Sequence, residues 1–414
     1  MKRRGDWTSG RLERLASRGA AMLTVGALLS ACGGGAPPKA PAGPQGRVAF
    51  VSSRDDANPS CARMAPNECN TEIYIINADG SGVVRITNSP GRDEAPVWSP
   101  DGRMLAFIHV GTDTKPEPGE VVVVSPDGTG RRSLGPYSFI GGPGAALAWS
   151  PDSTKVAWAE HELAFHVANA DGSGRDRFAK NLPTYGPAGW MGGEFWSPAG
   201  TRVAFASEGS FYLADANGAR RNVLIRKLED NEAIWAWSPD GTTIAYTQGS
   251  GTYLAKADGT GATRILNAPV TIGHEGEPGL TWSPDGTRLL LQRDGDLSIV
   301  TTDGSMRKLT TGPEFDVFPS WSSDGSGILF VRATLDSNGQ ELTGEALYTI
   351  KPDGSGLRLM TNSTRSGAWS PDSRWIAYES DDDIWIIKPD GSGKKNLTRS
   401  PGTDWGFAWS PVVR

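Results

Sequence analysis

Carboxylates recur at one position along the chain, and they are the side chains that could do chemistry together. Five of them stand five residues before a tryptophan, namely Asp93, Glu232, Glu277, Asp316 and Asp404, and Glu94 directly follows the first. Negative charges gathered around one opening attract a basic segment or a cation. Alternatively, each carboxylate caps backbone amides where a strand begins. Both interpretations fit the residues, and the first predicts a ring of partner-binding acids.

Three tryptophans lie near these carboxylates in the sequence. Trp190, Trp235 and Trp405 fall in connecting segments or at the first residues of a strand, not in the repeated motif described below. Aromatic side chains beside a charged opening could contact a peptide or a sugar, because they combine a large apolar face with a polar edge. Packing of the connecting segments is the alternative. We include all three among the candidate partner-binding residues.

Signals for catalysis are weak. His161 and His166 resemble a zinc motif, but they are five residues apart rather than four, and residues five apart on a strand point to opposite faces. The remaining histidines are His109 and His274, and the chain has no Gly-x-Ser-x-Gly nucleophile motif. The sequence therefore predicts no catalytic residue, no metal site and no cofactor.

The tryptophans that follow the carboxylates belong to a repeated motif, Trp-Ser-Pro-Asp-Gly. Its eight copies, some with substitutions, begin at Trp98, Trp149, Trp196, Trp237, Trp282, Trp321, Trp369 and Trp409. A period of roughly 40–50 residues is typical of β-propeller blades, each a four-stranded antiparallel sheet. Proline, aspartate and glycine favour a tight turn between two strands. Each copy therefore marks the first turn of a blade.

A second turn provides an independent count of blades. Its eight copies begin at Asn77, Ser125, Asn169, Asp215, Lys256, Thr301, Lys351 and Lys388. The first copy precedes the first tryptophan motif, and the last tryptophan motif has no strands after it. Residues 47–414 are therefore predicted to form an all-β, eight-bladed β-propeller of four-stranded antiparallel blades. We label the four strands of a blade A to D, from the innermost to the outermost. The N-terminal segment supplies strands B, C and D of the last blade and the C-terminal segment supplies its strand A, so the two ends close the ring and remove free sheet edges.

This topology divides the connections between two faces. The tight turns that join strand A to B and strand C to D lie on one face, which we name the turn face. The B–C connections and the links from strand D to the next strand A lie on the other, the loop face. Its long segments are predicted at Ser53–Thr71, Gly111–Gly119, Gly135–Ala146, Asn181–Gly193, Asn267–Gly279 and Ala333–Gly344. Long loops on a rigid scaffold commonly carry binding sites, so the loop face is the predicted partner surface.

The repeat resembles that of bacterial TolB-type propellers, in which Asp-x-x-Pro-x-Trp-Ser-Pro-Asp-Gly precedes an Ile-Ala-Phe-like strand. Asp93–Trp98 and Asp316–Trp321 match the first six positions. The resemblance covers Arg47 to Pro411. It implies a fold rather than an activity, because related repeats occur in interaction proteins, in the gating propellers of prolyl peptidases and in an oligogalacturonate lyase. TolB itself is a soluble periplasmic protein with an N-terminal α/β domain and six blades, unlike the tethered eight-bladed ring predicted here.

The N-terminal residues predict export and lipidation. Basic residues precede the apolar run Ala20–Leu29, which is too short to span a bilayer, and Leu29-Ser-Ala-Cys32 resembles a bacterial lipobox. Residues 1–31 would be the lipoprotein signal peptide, and residues 32–46 a lipidated Cys32 with a flexible Gly/Pro/Ala tether. An ordinary signal peptide with a chance cysteine is the alternative. Gly33 is not the aspartate that retains lipoproteins in the inner membrane, so we expect the periplasmic face of the outer membrane.

Charge and cysteines narrow the class of partner further. The chain has 47 acidic and 41 basic side chains, which argues against nucleic acid and favours a basic partner. Cys61 and Cys69 are the cysteines besides Cys32, and an oxidising compartment predicts a disulfide between them. We expect a monomer held at the membrane by its lipid.

These observations predict a non-catalytic, membrane-tethered, periplasmic TolB-like propeller that binds an envelope protein or peptide with a basic segment. The alternative is a propeller that binds or cleaves glycans with the carboxylates and tryptophans around its central opening. The two predictions differ in the chemical class of the ligand, which is a basic protein segment in the first and a sugar in the second.

The lipobox generates the first testable prediction. Cells that express the protein should incorporate radiolabelled palmitate into it, and the protein should fractionate with the outer membrane. Cys32→Ser should abolish both, because the cysteine sulfur is the attachment point for the lipid. Incorporation that is unchanged in Cys32→Ser would refute this prediction.

Overall fold

The computed structural model describes residues 44–411 apart from several segments. These are 57–68, 112–118, 138–146, 161–163, 181–194, 208–209, 219–220, 226–233, 268–278, 336–341, 363 and 365. The predicted signal peptide, Cys32 and most of the tether lie outside the described residues. In the described part every regular element is a β-strand, and no helix there is long and apolar enough to cross a membrane.

The strands form eight antiparallel sheets, which we number as blades 1 to 8 along the chain. Blade 8 receives the first three strands, β1 (Arg47–Ser52), β2 (Glu72–Asn77) and β3 (Val84–Arg85). Blade 1 contains β4 (Arg92–Trp98), β5 (Leu105–Val110), β6 (Gly119–Val124) and β7 (Arg132–Tyr137). Blade 2 contains β8 (Leu147–Trp149), β9 (Lys155–Glu160), β10 (Ala164–Asn169) and β11 (Asp176–Lys180). Blade 3 contains β12 (Arg202–Ser207), β13 (Ser210–Asp215) and β14 (Arg221–Ile225).

The second half of the ring follows the same order. Blade 4 contains β15 (Trp235–Trp237), β16 (Thr243–Gln248), β17 (Gly251–Lys256) and β18 (Thr263–Leu266). Blade 5 contains β19 (Leu280–Trp282), β20 (Arg288–Arg293), β21 (Asp296–Thr301) and β22 (Met306–Lys308). Blade 6 contains β23 (Phe315–Trp321), β24 (Ile328–Leu335), β25 (Leu342–Ile350) and β26 (Arg358–Asn362). Blade 7 contains β27 (Gly367–Trp369), β28 (Ile376–Ser380), β29 (Asp383–Ile387) and β30 (Lys395–Asn396), and β31 (Asp404–Trp409) completes blade 8.

The two ends of the chain meet in blade 8, which confirms the predicted eight-bladed ring and its closure. Strand β31 pairs with β1, with Trp409 opposite Val48 and Asp404 opposite Ser52. In blade 3 the innermost strand is reduced to a bridge between Trp196 and Val203. The core lies between neighbouring sheets, where Val, Ile, Leu, Phe and Trp side chains of adjacent blades are buried against one another.

The Trp-Ser-Pro-Asp-Gly turn forms because its side chains satisfy its own backbone. In blade 1 the Ser99 hydroxyl accepts a hydrogen bond from the Met104 amide at 2.9 Å and donates one to the Asp101 carboxylate at 2.7 Å. The same carboxylate accepts the Arg103 amide at 3.0 Å. Gly102 has φ of 68°, a conformation that favours glycine. The turn thereby fixes the register between strands A and B.

The C–D turns use aspartate in the same way. Asp79 accepts hydrogen bonds from the amide and the hydroxyl of Ser81, at 2.9 and 2.6 Å. These bonds hold the pKa of the Asp79 carboxyl below its usual value. Equivalent bonds occur at Asp127, Asp171, Asp258, Asp353 and Asp390. The turn face is therefore a repeated set of self-contained turns.

The motif tryptophans join neighbouring blades along the inner circumference. In six of the eight, the indole N–H donates to the backbone carbonyl of the residue before the motif tryptophan of the preceding blade, whereas Trp237 and Trp321 have no such bond among the described residues. These bonds run from Trp98 to Ala408, Trp149 to Val97, Trp196 to Ala148, Trp282 to Ala236, Trp369 to Ser320 and Trp409 to Ala368, over 3.0–3.4 Å. The Trp98 bond crosses from blade 1 to the C-terminal strand, so it also secures the closure.

A second series of contacts joins blades at the outer circumference. Side chains that begin strand D of one blade donate to backbone carbonyls in the C–D turn of the next. Asn222 donates to Asp258 at 2.8 Å, Arg307 donates to Asp353 at 2.9 Å, and Lys395 donates to Asp79. The ring is thus bonded between blades at both its inner and its outer edge.

The inner bonds generate a stability prediction with a matched control. Trp282→Phe removes an indole donor that is bonded to Ala236, whereas Trp237→Phe removes one that has no partner among the described residues. Both tryptophans are buried, at 7% and 2% exposure. Trp282→Phe should cost about 1 kcal/mol more unfolding free energy than Trp237→Phe, because it removes a buried hydrogen bond that Trp237 does not make. Denaturant unfolding of both variants measures the difference, and equal losses would contradict the role given to the bond.

Candidate functional site

The three described aspartates of the repeated position, Asp93, Asp316 and Asp404, stand beside a bulge at the start of strand A. In blades 1, 6 and 8 the residue three before the motif tryptophan has a positive φ: 54° at Ala95, 55° at Phe318 and 56° at Gly406. The register between strands A and B shifts at each of these places. A bulge bends the strand and re-aims the side chains before it. This geometry accounts for the Asp-x-x-Pro-x-Trp pattern.

The backbone at each of these aspartates bonds to the preceding blade. Asp93 N–H donates to the Thr71 carbonyl at 2.9 Å, Asp316 N–H to Gly295 at 2.8 Å, and Asp404 N–H to Asp382 at 2.9 Å. Thr71, Gly295 and Asp382 each immediately precede strand C of their blades. The start of strand A is therefore attached to the neighbouring sheet on the loop face.

Asp93 is fully buried and paired within blade 1. Its Oδ1 lies 2.7 Å from His109 Nδ1, and its Oδ2 accepts the Ser89 hydroxyl at 3.0 Å. His109 is the residue opposite Asp93 on β5. Both side chains are almost inaccessible to solvent. The carboxylate is therefore engaged inside the protein, and a partner on the surface would not touch it directly.

Asp316 forms a two-pronged ion pair in blade 6. Arg332 donates from Nε and Nη2 to its two carboxylate oxygens, at 2.7 and 2.9 Å. The hydrogen bond to Asp316 raises the pKa of Arg332. The guanidinium also lies over the rings of Phe330 and Tyr348, which holds it in place by cation–π attraction. Asp316 is 2% exposed, so its charge is both buried and compensated.

Asp404 repeats this arrangement at the closing blade. Ser52 donates to Oδ1 at 2.5 Å, and Arg54 donates from Nη2 to Oδ2 at 2.9 Å. Arg54 lies over Phe50 and Tyr74, as Arg332 lies over Phe330 and Tyr348. Burial nevertheless raises the pKa of the Asp404 carboxyl, because the two partners compensate its desolvation only in part. This pair crosses the seam between the two chain ends.

The carboxylates of the three described aspartates therefore bond to buried or partly buried side chains rather than to the backbone amides that the capping interpretation expects. Glu232 and Glu277 lie outside the described residues. The side chains that bond to Asp93 and Asp316 were not recognised from the sequence. His109 and Arg332 each stand eleven residues after the motif tryptophan of their blade, and that spacing is the signal that could have found them. Contact between a partner and any of these residues stays a prediction.

Glu94 and Trp405 are the predicted site residues that remain partly exposed. Each stands four residues before a motif tryptophan, in blades 1 and 8, which are neighbours. The Glu94 side chain is 25% exposed, with Oε1 3.3 Å from Arg92, and burial raises the pKa of its carboxyl. Trp405 packs on the apolar cluster between blades 8 and 1 and is partly buried. We name these two residues the seam pair.

The other predicted residues are placed differently. Trp235 is fully buried, with its ring 4.8 Å from that of Phe211, so it belongs to the core. Trp190 lies outside the described residues, as do His161 and Cys61. Cys69 is buried and disulfide-bonded, and its pairing with Cys61 stays a prediction. His166 stacks on Trp158 at 5.0 Å.

Among the described residues, no group of three or more His, Cys, Asp or Glu side chains is arranged to hold a metal ion.

Glu379 is a partly buried acid that the sequence did not indicate as a functional residue. It lies on β28 of blade 7, and its Oε1 accepts the amide of Gly406, the bulge residue of β31, at 2.8 Å. Burial raises the pKa of its carboxyl to about 7, although the Gly406 and Ser366 hydrogen bonds act in the opposite direction. The equivalent residues Ile108 in blade 1 and Val331 in blade 6 are apolar. Blade 7 thus holds the closing strand through a titratable group.

Several solved structures are similar to the chain. A eukaryotic initiation factor aligns with a TM-score of 0.53 and 12% identity, covering 89% of this chain and 99% of that one. An oligogalacturonate lyase in complex with manganese has a TM-score of 0.45 and 13% identity, covering 86% of each chain. TolB from Acinetobacter baumannii has a TM-score of 0.44 and 14% identity, covering 88% of this chain and 66% of that one. No known protein family matches the chain, so these likenesses concern the fold alone.

The buried ion pair generates a prediction that separates structure from binding. Asp316→Ala leaves the Arg332 guanidinium without its counter-charge and should lower the unfolding free energy by about 3 kcal/mol. Glu94→Gln is the control, because this partly exposed carboxylate should contribute less than about 1 kcal/mol. Denaturant unfolding measures both values. A neutral Asp316→Ala would return this aspartate to the list of candidate binding residues.

The Glu379 carboxyl generates a pH prediction. Its pKa rises from the usual 4.5 to about 7, so the folded state favours the protonated form. The stability that this group contributes is complete below pH 4.5 and is lost as pH rises through about 7. The loss should amount to roughly 2–3 kcal/mol. Unfolding measured at several pH values should show this decline in the wild type and a shallower one in Glu379→Gln, and parallel profiles would contradict it.

Proposed function

We propose that this chain is a lipid-anchored envelope protein without catalytic activity, which binds a protein or peptide partner on the loop face of its propeller. The observation that carries the proposal is the contrast between the two faces. On the turn face, the A–B and C–D turns repeat one bonding scheme, and their polar groups are engaged with one another. On the loop face, the connections differ from blade to blade.

The B–C connections show this difference most clearly. Strand β20 ends at Arg293 and β21 begins at Asp296, so a short hairpin joins them, and β28 and β29 are joined in the same way. By contrast, β1 ends at Ser52 and β2 begins at Glu72. Variable connections on a rigid scaffold are where binding specificity commonly resides. The buried Asp93, Asp316 and Asp404 hold the start of strand A in place beneath these connections.

The seam pair supports a contact with a basic segment. Glu94 offers a partly exposed carboxylate, and Trp405 offers an aromatic surface on the neighbouring blade. A lysine or arginine can pair with the first and lie over the second. The same two side chains also suit a sugar, which stacks on tryptophan and donates hydroxyls to a carboxylate. Glycan binding is therefore the second candidate function.

The proposed function is tested by capture from an envelope extract. Full-length wild-type protein and a Glu94→Gln/Trp405→Ala variant serve as bait, and Asp353→Asn on the turn face is the matched control. We expect one protein to bind the wild type and the control, to bind the double variant on the order of tenfold more weakly, and to dissociate with added salt.

A parallel glycan array decides between the two candidate functions. Oligosaccharide binding that is lost in the same double variant would replace the proposal with the glycan alternative. Protein capture that is equal for all three baits would show that the seam pair is not the contact.

A further inference from the structure

The outermost strands carry exposed apolar side chains that the core does not use. Among the described residues, the large apolar side chains with the highest exposure are Val83, Val84, Val223, Met306, Leu357 and Leu359, at 38–48%. Every one lies on strand D of a blade or directly before it. Strand D forms the outer edge of each sheet, and these side chains are exposed there. Isolated apolar residues are ordinary on a surface, but their common position calls for an explanation.

Five of these six described side chains lie in one half of the ring. Met306 belongs to blade 5, Leu357 and Leu359 to blade 6, and Val83 and Val84 to blade 8. Strand D begins next to the C–D turn, so all five lie at the end of the outer edge that adjoins the turn face. We name this set the apolar rim. Val223 in blade 3 lies outside it, in the other half of the ring.

The N-terminal tether joins the ring at the same side. The Gly46 carbonyl accepts the amide of Ala78, which belongs to the C–D turn of blade 8, at 3.0 Å. The Arg47 amide donates to the Ser410 hydroxyl at 2.8 Å, next to the end of β31. The chain therefore leaves the ring from the turn face, in the blade that also carries Val83 and Val84. From Gly46 to Cys32 the tether can reach up to about 40 Å as an extended chain.

We infer that the apolar rim of blades 5, 6 and 8 rests on the lipid surface to which Cys32 anchors the chain, so that the loop face points away from the bilayer. This inference extends the proposed function, because it relies on a lipid at Cys32. It assigns one face to the membrane and leaves the opposite face open to the partner.

The charges around the apolar rim are mainly cationic. Arg307 and Arg358 are exposed beside Met306 and Leu357. The exposed aspartates of the C–D turns in blades 5 to 7 are Asp303, Asp353 and Asp390. Five lysines lie on the same turns and strands of blades 5 to 7, namely Lys308, Lys351, Lys388, Lys394 and Lys395. Cations bind the phosphate of any phospholipid head group, and they add attraction where the lipid is anionic. On phosphatidylcholine, which has no net charge, the contact should depend on apolar side chains and respond little to salt.

The test attaches the chain to vesicles chemically, so that it does not depend on lipidation in the cell. The chain from Cys32 onward is coupled through that thiol to a maleimide lipid in phosphatidylcholine vesicles, and amide hydrogen exchange is measured by mass spectrometry. The reference is the same chain capped with N-ethylmaleimide and mixed with plain vesicles. We expect peptides that contain β3, β22 and β26 to exchange about threefold or more slowly on the vesicles. Peptides that contain β14, or the B–C hairpins at 294–295 and 381–382, should be unchanged.

Two variants decide whether the apolar side chains cause the protection. Leu357→Gln/Leu359→Gln should remove it, whereas Val223→Gln, at a similarly exposed position outside the apolar rim, should leave it intact. Protection of the loop-face hairpins, or no difference between coupled and capped chains, would overturn the inference. Neither result would bear on the palmitate labelling or on partner capture, so failure here is distinguishable from failure of the proposed function.

Discussion

The hydrogen bond from a motif tryptophan to the carbonyl of the preceding blade is the interaction on which the rest of the structure depends. It joins the innermost strands of neighbouring blades at six of the eight junctions in the ring. The indole can reach that carbonyl because the Ser-Pro-Asp-Gly turn, through Ser99 and its equivalents, sets the register of strands A and B. When Trp98 donates to Ala408, the same bond joins the first complete blade to the last strand of the chain.

This geometry also determines what the carboxylates can do. The backbone at the start of strand A is bonded to the neighbouring sheet. A buried carboxylate is tolerated only with a partner, and Asp93, Asp316 and Asp404 each have one in their own blade. The charges therefore hold the start of strand A within its blade, while the backbone amides bond it to the preceding one. Under the proposed function, partner binding is left to the seam pair beside these aspartates and to the connections of the loop face.

The fold was predictable from the sequence, because two independent turn motifs are repeated eight times each and their offset requires closure by both chain ends. The candidate site was predictable only in part. The position of Asp316 relative to Trp321 could be read from the spacing, but its burial depends on the neighbouring sheet. Trp235 and Trp405 look alike in the sequence, yet contact with Phe211 places the first in the core. Glu379 gave no signal, because it is a single acid at a position that carries no charged residue in the other blades.

The central claim is that the chain is one closed ring whose stability requires the C-terminal strand. Thermal unfolding of the full-length chain, compared with a chain that ends at Gly402 and so lacks β31, tests it most directly. The account predicts that the truncated chain loses its cooperative transition and self-associates, because the inner edge of β1 and the Trp98 indole lose their partners. A truncated chain that remains monomeric and unfolds at the same temperature as the full-length protein would contradict the closure.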